Sequence, residues 1–82
     1  IRITNASPFA NSASLYTQSG RAARTFTYKV TSGNIGINLG IPAPMAYFPF
    51  AGAKDSFFGT LHGQGTDAVQ FFTDSKVVIT RW

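Results

Sequence analysis

The single histidine of the chain, His62, is the first residue to weigh for chemistry. It lies in the glycine-rich run 61–65, and the nearest acids in the sequence are Asp55 and Asp67. A histidine oriented by an aspartate can act as a general base toward a serine. The chain has no G-x-S-x-G nucleophile elbow, and a lone histidine in a loop is typical of a surface or turn position. We therefore predict that His62 is not catalytic.

Other sites of catalysis or cofactor binding lack their residue types. The chain has no cysteine, which excludes thiolate metal sites, disulfides and cysteine nucleophiles within it. The run 63–65 is too short for a phosphate-binding loop, and no Lys-Ser or Lys-Thr pair follows it. The three aspartates form no pattern of paired carboxylates or calcium ligands. These absences predict a non-enzymatic protein with no catalytic residue, no cofactor site and no metal site.

Strands dominate the elements predicted from the sequence. Residues 25–31 alternate with period two, which places Phe26, Tyr28 and Val30 on one face. Residues 34–41 alternate in the same way, and the turn 32–34 between the two runs predicts a hairpin. Shorter apolar runs predict further strands at 1–4, 14–17, 56–61, 68–72 and 77–82.

A long helix is disfavoured by glycine. The best helical candidate, residues 56–72, contains Gly59, Gly63 and Gly65, and each interior glycine costs close to 1 kcal/mol relative to alanine. A short turn beginning at Asp67 is the remaining option. We expect an all-β fold, a small antiparallel sandwich or barrel of about seven or eight short strands, formed by residues 1–82 as a single β-domain.

The middle of the chain carries an uncharged segment, residues 41–53. Its prolines exclude a helix and argue against a central strand, yet surface loops are usually polar. Either its aromatic side chains fold back to close an open end of the barrel, or the segment covers a neighbouring molecule, since aromatic residues and methionine are enriched in interface cores. A ligand cleft is the third alternative. We predict an interface made by Pro42, Pro44, Met45, Tyr47, Phe48, Pro49 and Phe50.

A second surface is the outer face of the run 34–41. Asn34, Gly36 and Asn38 would form a flat face of small and polar residues there. Such a face lets another backbone or a sugar ring approach closely, so these residues form a possible ligand or stacking face. The alternative is an ordinary solvated sheet face without a partner.

The number of charged residues and the net charge of the chain restrict the kinds of partner that it can bind. Charged residues make up 12% of the chain, against about 25% in ordinary soluble domains. A surface covered by neighbours needs fewer charges, which predicts association with copies of itself. The net charge of +4 is small for nucleic acid, because strong phosphate binding uses about six to ten contacts; nucleic acid is therefore disfavoured. No run approaches the ~20 apolar residues of a membrane span.

One resemblance to a known family concerns residues 60–62 and 67–79. There an aromatic run, a polar turn and a last strand resemble the end of the pentameric, glycan-binding B subunits of bacterial AB5 toxins. The resemblance implies an oligomer that binds glycan, without assigning binding residues. The function expected first is a self-assembling coat, decoration or surface-filament subunit, located extracellularly, on a cell surface or on a virion. A glycan-binding oligomer is the alternative.

Overall fold

The computed structural model describes residues 1–82 and contains both helices and strands. In chain order the elements are α1 (Arg2–Ala6), β1 (Ser12–Leu15), α2 (Gly20–Lys29), β2 (Asn34–Ile37) and α3 (Gly65–Phe71). The fold is mixed α/β with one two-stranded sheet. The prediction of an all-β antiparallel sandwich or barrel is therefore wrong.

The sheet is parallel. β1 and β2 pair with Ser12 opposite Asn34 and Leu15 opposite Ile37, and α2 lies between the two strands in the chain. Parallel neighbours need a crossover connection of a dozen or more residues, usually a helix, whereas a hairpin turn joins only antiparallel strands. The predicted hairpin at residues 32–34 is thus wrong. That turn leads from α2 into β2, whose partner comes from earlier in the chain.

α2 occupies the run that alternates with period two. Its first turn is capped by Ser19, whose Oγ accepts a hydrogen bond from the Ala22 N–H at 3.2 Å. Phe26 and Val30 are buried one helical turn apart, with 8% and 6% of their surfaces exposed, whereas Tyr28 is 89% exposed. Residues i and i+4 share a face in a helix as well as in a strand, so the alternation could not distinguish the two structures.

Four of the other predicted strands also differ from the structure. Residues 1–4 fall mostly within α1 and residues 68–72 mostly within α3, while 56–61 and 77–82 belong to no regular strand. α3 starts at Gly65, which has a φ of +61°, so Gly63 and Gly65 lie before or at the first residue of the helix and do not interrupt it. Glycine is well suited to this position because it adopts positive φ without strain.

Little of the chain is buried by the chain itself. Only Ala10, Phe26, Val30 and Gly36 are buried. The radius of gyration is 17.0 Å, whereas a compact domain of this length has about 12 Å. Residues 74–82 make no hydrogen bond within the chain. Most large apolar side chains are therefore exposed among these residues, and a single domain over 1–82 stays a prediction.

Membrane insertion has no support among the helices. None of the three has the length and the hydrophobicity that crossing a bilayer requires.

Candidate functional site

His62 is at the centre of a group of close contacts that we call the histidine clasp (His62, Asp67, Gly52 and Phe57). The His62 Nδ1 lies 3.0 Å from Asp67 Oδ2, and the His62 backbone N–H donates to the same oxygen at 3.1 Å. The His62 Nε2 lies 3.2 Å from the Gly52 carbonyl oxygen. The Phe57 ring stacks on the imidazole with a centroid distance of 4.2 Å. Both ring nitrogens thus face an acceptor.

The clasp lowers the pKa of Asp67 from its ordinary value of 3.8. The main cause is the hydrogen bond from the His62 backbone N–H, and the contact with the imidazole adds to it. Asp67 lies in the first turn of α3, where a carboxylate is also favoured by the helix dipole. Of the two acids near His62 in the sequence, the structure therefore selects Asp67 as its partner.

The backbone around the clasp is closely packed. The Phe50 N–H donates to the Gly63 carbonyl at 3.1 Å, and the Gly65 N–H donates to the Ala46 carbonyl at 3.1 Å. A Cβ atom at Gly65 would lie 2.6 Å from the Tyr47 carbonyl oxygen. These contacts join the start of α3 to residues 46–50 and place Asp67 within reach of His62.

The clasp is arranged to hold segments together. No serine contacts the imidazole, and the nearest serine in the sequence, Ser56, accepts a hydrogen bond from the Ala10 N–H at 3.0 Å. A general base needs a free ring nitrogen within reach of the proton that it removes, and here both nitrogens are engaged. That His62 is not catalytic stays a prediction, and the geometry is consistent with it.

An apolar cleft of about 280 Å³ borders the clasp. Aromatic rings from the segment before α3 and from the C-terminal end of α3 form most of its walls. The His62 imidazole is the polar ring among them. The lining residues are Phe57, Phe58, Leu61, His62, Gly63, Ala68, Phe71 and Phe72. The structure brings together no group of three side chains that could hold a metal ion.

The predicted stacking face is engaged within the chain. The Asn34 side chain donates to the carbonyl oxygens of Asn11 and Ala51, at 3.2 and 2.6 Å. Asn38, with a φ of +56°, accepts from the Thr17 N–H and donates to the Thr17 carbonyl. Gly36 is buried in β2. These residues hold loops to the sheet, and a ligand face at Asn34, Gly36 and Asn38 stays a prediction.

The large side chains of the predicted interface are exposed in this chain. Met45, Tyr47, Phe48 and Phe50 keep about half or more of their surfaces in solvent, and the rings of Tyr47 and Phe48 meet edge to face at 5.9 Å. These side chains therefore do not fill the core of this chain. Whether a partner covers them stays a prediction, as does the whole interface set Pro42, Pro44, Met45, Tyr47, Phe48, Pro49 and Phe50.

Lys54 is a connecting residue that the sequence analysis missed. Its ammonium donates to the carbonyl oxygens of Asn5, in the last turn of α1, and of Ser7, just after the helix, at 2.8 and 3.0 Å. The Asp55 N–H donates to the Pro8 carbonyl, which strengthens the same link. The partners are about 49 residues away in the sequence, so no local pattern points to them.

The chain is similar to dehydrogenases along its whole length. It is 54% identical over 82 residues to a malonate-semialdehyde dehydrogenase of Halalkalibacterium halodurans and to malonate-semialdehyde dehydrogenase 2 of Bacillus thuringiensis. All of the chain is matched in both cases. It spans only 17% of the length of these relatives.

Two crystal structures share its fold. A methylmalonate-semialdehyde dehydrogenase of Oceanimonas doudoroffii matches with a TM-score of 0.95 and 42% identity, over 99% of this chain and 17% of the other. A putative methylmalonate-semialdehyde dehydrogenase of Sinorhizobium meliloti, complexed with NAD, matches with a TM-score of 0.96 and 38% identity, over 99% of this chain and 16% of the other.

These similarities overturn the functional predictions. The matched proteins are metabolic enzymes, so a non-enzymatic coat, decoration or filament subunit is wrong, and so is a glycan-binding module of the toxin B-subunit type. An extracellular, cell-surface or virion location is wrong for the same reason. The error arose because the 82 residues contain no reactive constellation, although they are homologous to parts of much longer enzymes.

The family follows from the match to its sequence profile. The profile of the aldehyde dehydrogenase family matches residues 1–78, nearly the whole chain. The fold of the solved dehydrogenases agrees with this match at 38% and 42% identity. The chain belongs to the aldehyde dehydrogenase family.

Proposed function

We propose that this chain is part of a dehydrogenase that oxidises a short semialdehyde bearing a carboxylate, such as malonate semialdehyde. The observation that carries the proposal is the 54% identity over all 82 residues to malonate-semialdehyde dehydrogenases. The solved methylmalonate-semialdehyde dehydrogenases with the same fold support the same class of substrate. NAD is the expected acceptor of the hydride that leaves the aldehyde carbon.

The residues of this chain do not form a dinucleotide-binding turn. A dinucleotide-binding turn combines a G-x-G-x-x-G run with a free helix N-terminus. The turn from β1 into α2 reads Thr17-Gln18-Ser19-Gly20, and the Ser19 side chain itself caps the helix. We therefore derive no step through NAD for these residues and infer that other parts of the protein bind it.

The residues of this chain serve the proposed enzyme as a scaffold. The chain has no cysteine, and its only imidazole is engaged at both ring nitrogens. The Lys54 and Asn34 side chains join segments that are distant in the sequence, and the His62 side chain joins Gly52 to the start of α3. The reactive groups are thus expected outside these 82 residues.

The proposal is tested on the full-length protein by following the absorbance of NADH. Malonate semialdehyde, methylmalonate semialdehyde and propanal are compared at equal concentrations, and propanal serves as the control without a carboxylate. We expect NAD reduction with the two carboxylated substrates and at least about tenfold lower kcat/KM with propanal, because a site that pairs with the carboxylate of its substrate would leave its polar groups unsatisfied when propanal binds. Activity with propanal alone, or none with any of the three, would contradict the proposal.

We also infer that residues 42–50 form a contact surface with a second copy of the protein. Their exposed aromatic side chains and the low charge of the chain support this inference, since interface cores are depleted in charge. Phe48→Asp is expected to shift the light-scattering mass of the full-length protein toward the monomer. Thr60→Asp, at another exposed loop position, is the control. An unchanged mass for Phe48→Asp, with Thr60→Asp also unchanged, would exclude a role of this segment in association.

A further inference from the structure

The two ring nitrogens of His62 face two acceptors, which makes the clasp sensitive to protonation. Asp67 Oδ2 lies 3.0 Å from Nδ1, and the Gly52 carbonyl oxygen lies 3.2 Å from Nε2. A carboxylate and a carbonyl only accept hydrogen bonds. The imidazolium form carries an N–H at both nitrogens and satisfies both partners, whereas the neutral ring carries one N–H and satisfies one of them.

The two contacts do not have equal strength. Asp67 is charged and also accepts from the His62 backbone N–H at 3.1 Å, and hydrogen bonds to an ionised acceptor are about twice as strong as neutral ones. The proton of a neutral ring therefore stays at Nδ1. The lone pair of Nε2 then faces the Gly52 carbonyl, and that contact becomes repulsive.

We propose that protonation of His62 controls the link between residues 52–57 and the start of α3, and we call this link the latch. The imidazolium donates to both Asp67 and the Gly52 carbonyl and so holds residues 52–57 in place. When the ring loses one proton, the contact with Gly52 is lost while the contact with Asp67 persists. The latch joins residues 52–57, which carry the stacked Phe57 ring, to the loop that precedes α3. Histidine is the side chain whose ordinary charge change falls between about pH 5 and 8, and this general range sets the two pH values of the test. The proposal does not depend on the dehydrogenase activity.

Other charged groups do not compete for the imidazole. From α3, Asp67 is the only titratable residue and it is the partner itself. The segment 50–58 contributes the Gly52 carbonyl and the Phe57 ring, neither of which titrates. Its charged residues are Lys54, whose ammonium binds the Asn5 and Ser7 carbonyls, and Asp55, whose side chain makes no hydrogen bond or ion pair with His62.

Hydrogen–deuterium exchange on the full-length protein tests the latch at pH 6 and pH 8.5, after correction for the chemical exchange rate. The Ser56 and Phe57 amides, which donate to the Ala53 and Lys54 carbonyls, report on the released segment. We expect their protection to fall about fivefold at pH 8.5, the factor that one net hydrogen bond represents. Peptides of α2, which makes no hydrogen bond to the clasp, serve as the internal reference.

The variants His62→Gln and His62→Asn distinguish a pH dependence caused by His62 from one caused by other titrating groups. Their amide side chains do not titrate, so the protection of residues 52–57 is expected to be equal at both pH values in whichever variant folds. Unchanged protection in the wild type would overturn the proposal. A pH dependence that persists in a folded variant would also overturn it, because another group would then be responsible.

Discussion

The Lys54 ammonium lies 2.8 Å from the backbone carbonyl oxygen of Asn5, in the last turn of α1. The same ammonium binds the Ser7 carbonyl at 3.0 Å, so one side chain satisfies two carbonyls at or just beyond the helix C-terminus. Cations are favoured at this end of a helix. The contact also holds residues 50–57 against the start of the chain.

Removing the ammonium while keeping the side-chain length should loosen this junction. Lys54→Met is expected to lower the local stability of α1 and of residues 50–57 by about 1–2 kcal/mol, because two carbonyls lose a charged donor. Hydrogen exchange of the full-length protein measures this loss. Lys76→Met is the matched control, because the Lys76 ammonium makes no hydrogen bond or ion pair within the chain. Equal effects of the two variants would contradict a specific role of Lys54.

The helical register of α2 gives a second prediction. Phe26→Ala is expected to lower the free energy of unfolding by about 3 kcal/mol, since it leaves a cavity beside the buried Val30. Tyr28→Ala should lower it by less than Phe26→Ala does, because Tyr28 points away from these residues. Chemical denaturation of the full-length protein compares the two. A loss at Tyr28 as large as the loss at Phe26 would contradict the separation of the two faces.

Two glycines that are two residues apart provide a matched pair for the loop before α3. Gly65 has a φ of +61°, and a Cβ there would lie 2.6 Å from the Tyr47 carbonyl oxygen, whereas a Cβ at Gly63 would meet nothing within 4 Å. Gly65→Ala is expected to destabilise the protein by about 1–3 kcal/mol through left-handed backbone strain and the clash. Gly63→Ala should cost clearly less. Thermal denaturation of both variants is the measurement, and the reverse order would be inconsistent with this loop geometry.

The contribution of Asp67 to the stability of the fold is expected to depend on pH in the acidic range. Its pKa is lowered in the folded state by the hydrogen bonds from His62. A carboxyl group with a lowered folded pKa stabilises the fold above its unfolded pKa, and that contribution is lost as the pH falls through the folded value. We expect Asp67→Asn to be less stable than the wild type at pH 7.

That difference should shrink as the pH is lowered below 3.8, where protonation of Asp67 removes the same contribution from the wild type. Unfolding midpoints between pH 7 and pH 3 measure the change. Asp74→Asn is the control, because Asp74 forms no ion pair within the chain. A stability difference between wild type and Asp67→Asn that does not vary with pH would contradict the assignment.

Local patterns were sufficient for part of the sheet. The run beginning at Asn34 was predicted as a strand and contains β2, and the run 14–17 overlaps β1. The partner of β2 could not be predicted locally, because strand pairing is a contact between residues that are far apart in the chain. The turn at 32–34 suited a hairpin, and only the position of α2 between the strands makes the pairing parallel.

α2 shows why the local prediction failed. Thr25, Thr27, Tyr28 and Val30 have high strand propensity, and their alternation reads as a strand. The signals for a helix were the Ser19 cap and the run Arg21-Ala22-Ala23-Arg24, which are typical of a helix start. Phe26 and Val30 are buried while Tyr28 between them is exposed, which is the pattern of a helix face and not of a strand face. Tertiary packing thus overrides the strand propensity of the neighbouring residues.

The sequence by itself determined which chemical groups this chain carries: few charges, no cysteine and one histidine. It also determined that the apolar segment 41–53, with its prolines, does not form a helix. Only the tertiary structure decided that His62 meets Asp67 and Gly52, that Lys54 reaches Asn5, and that α2 joins parallel strands. The physical reason is that local propensity depends on residues that are close in the sequence, and composition says nothing about where residues lie in space. Hydrogen bonds between segments that are distant in the sequence depend on how the whole backbone is folded.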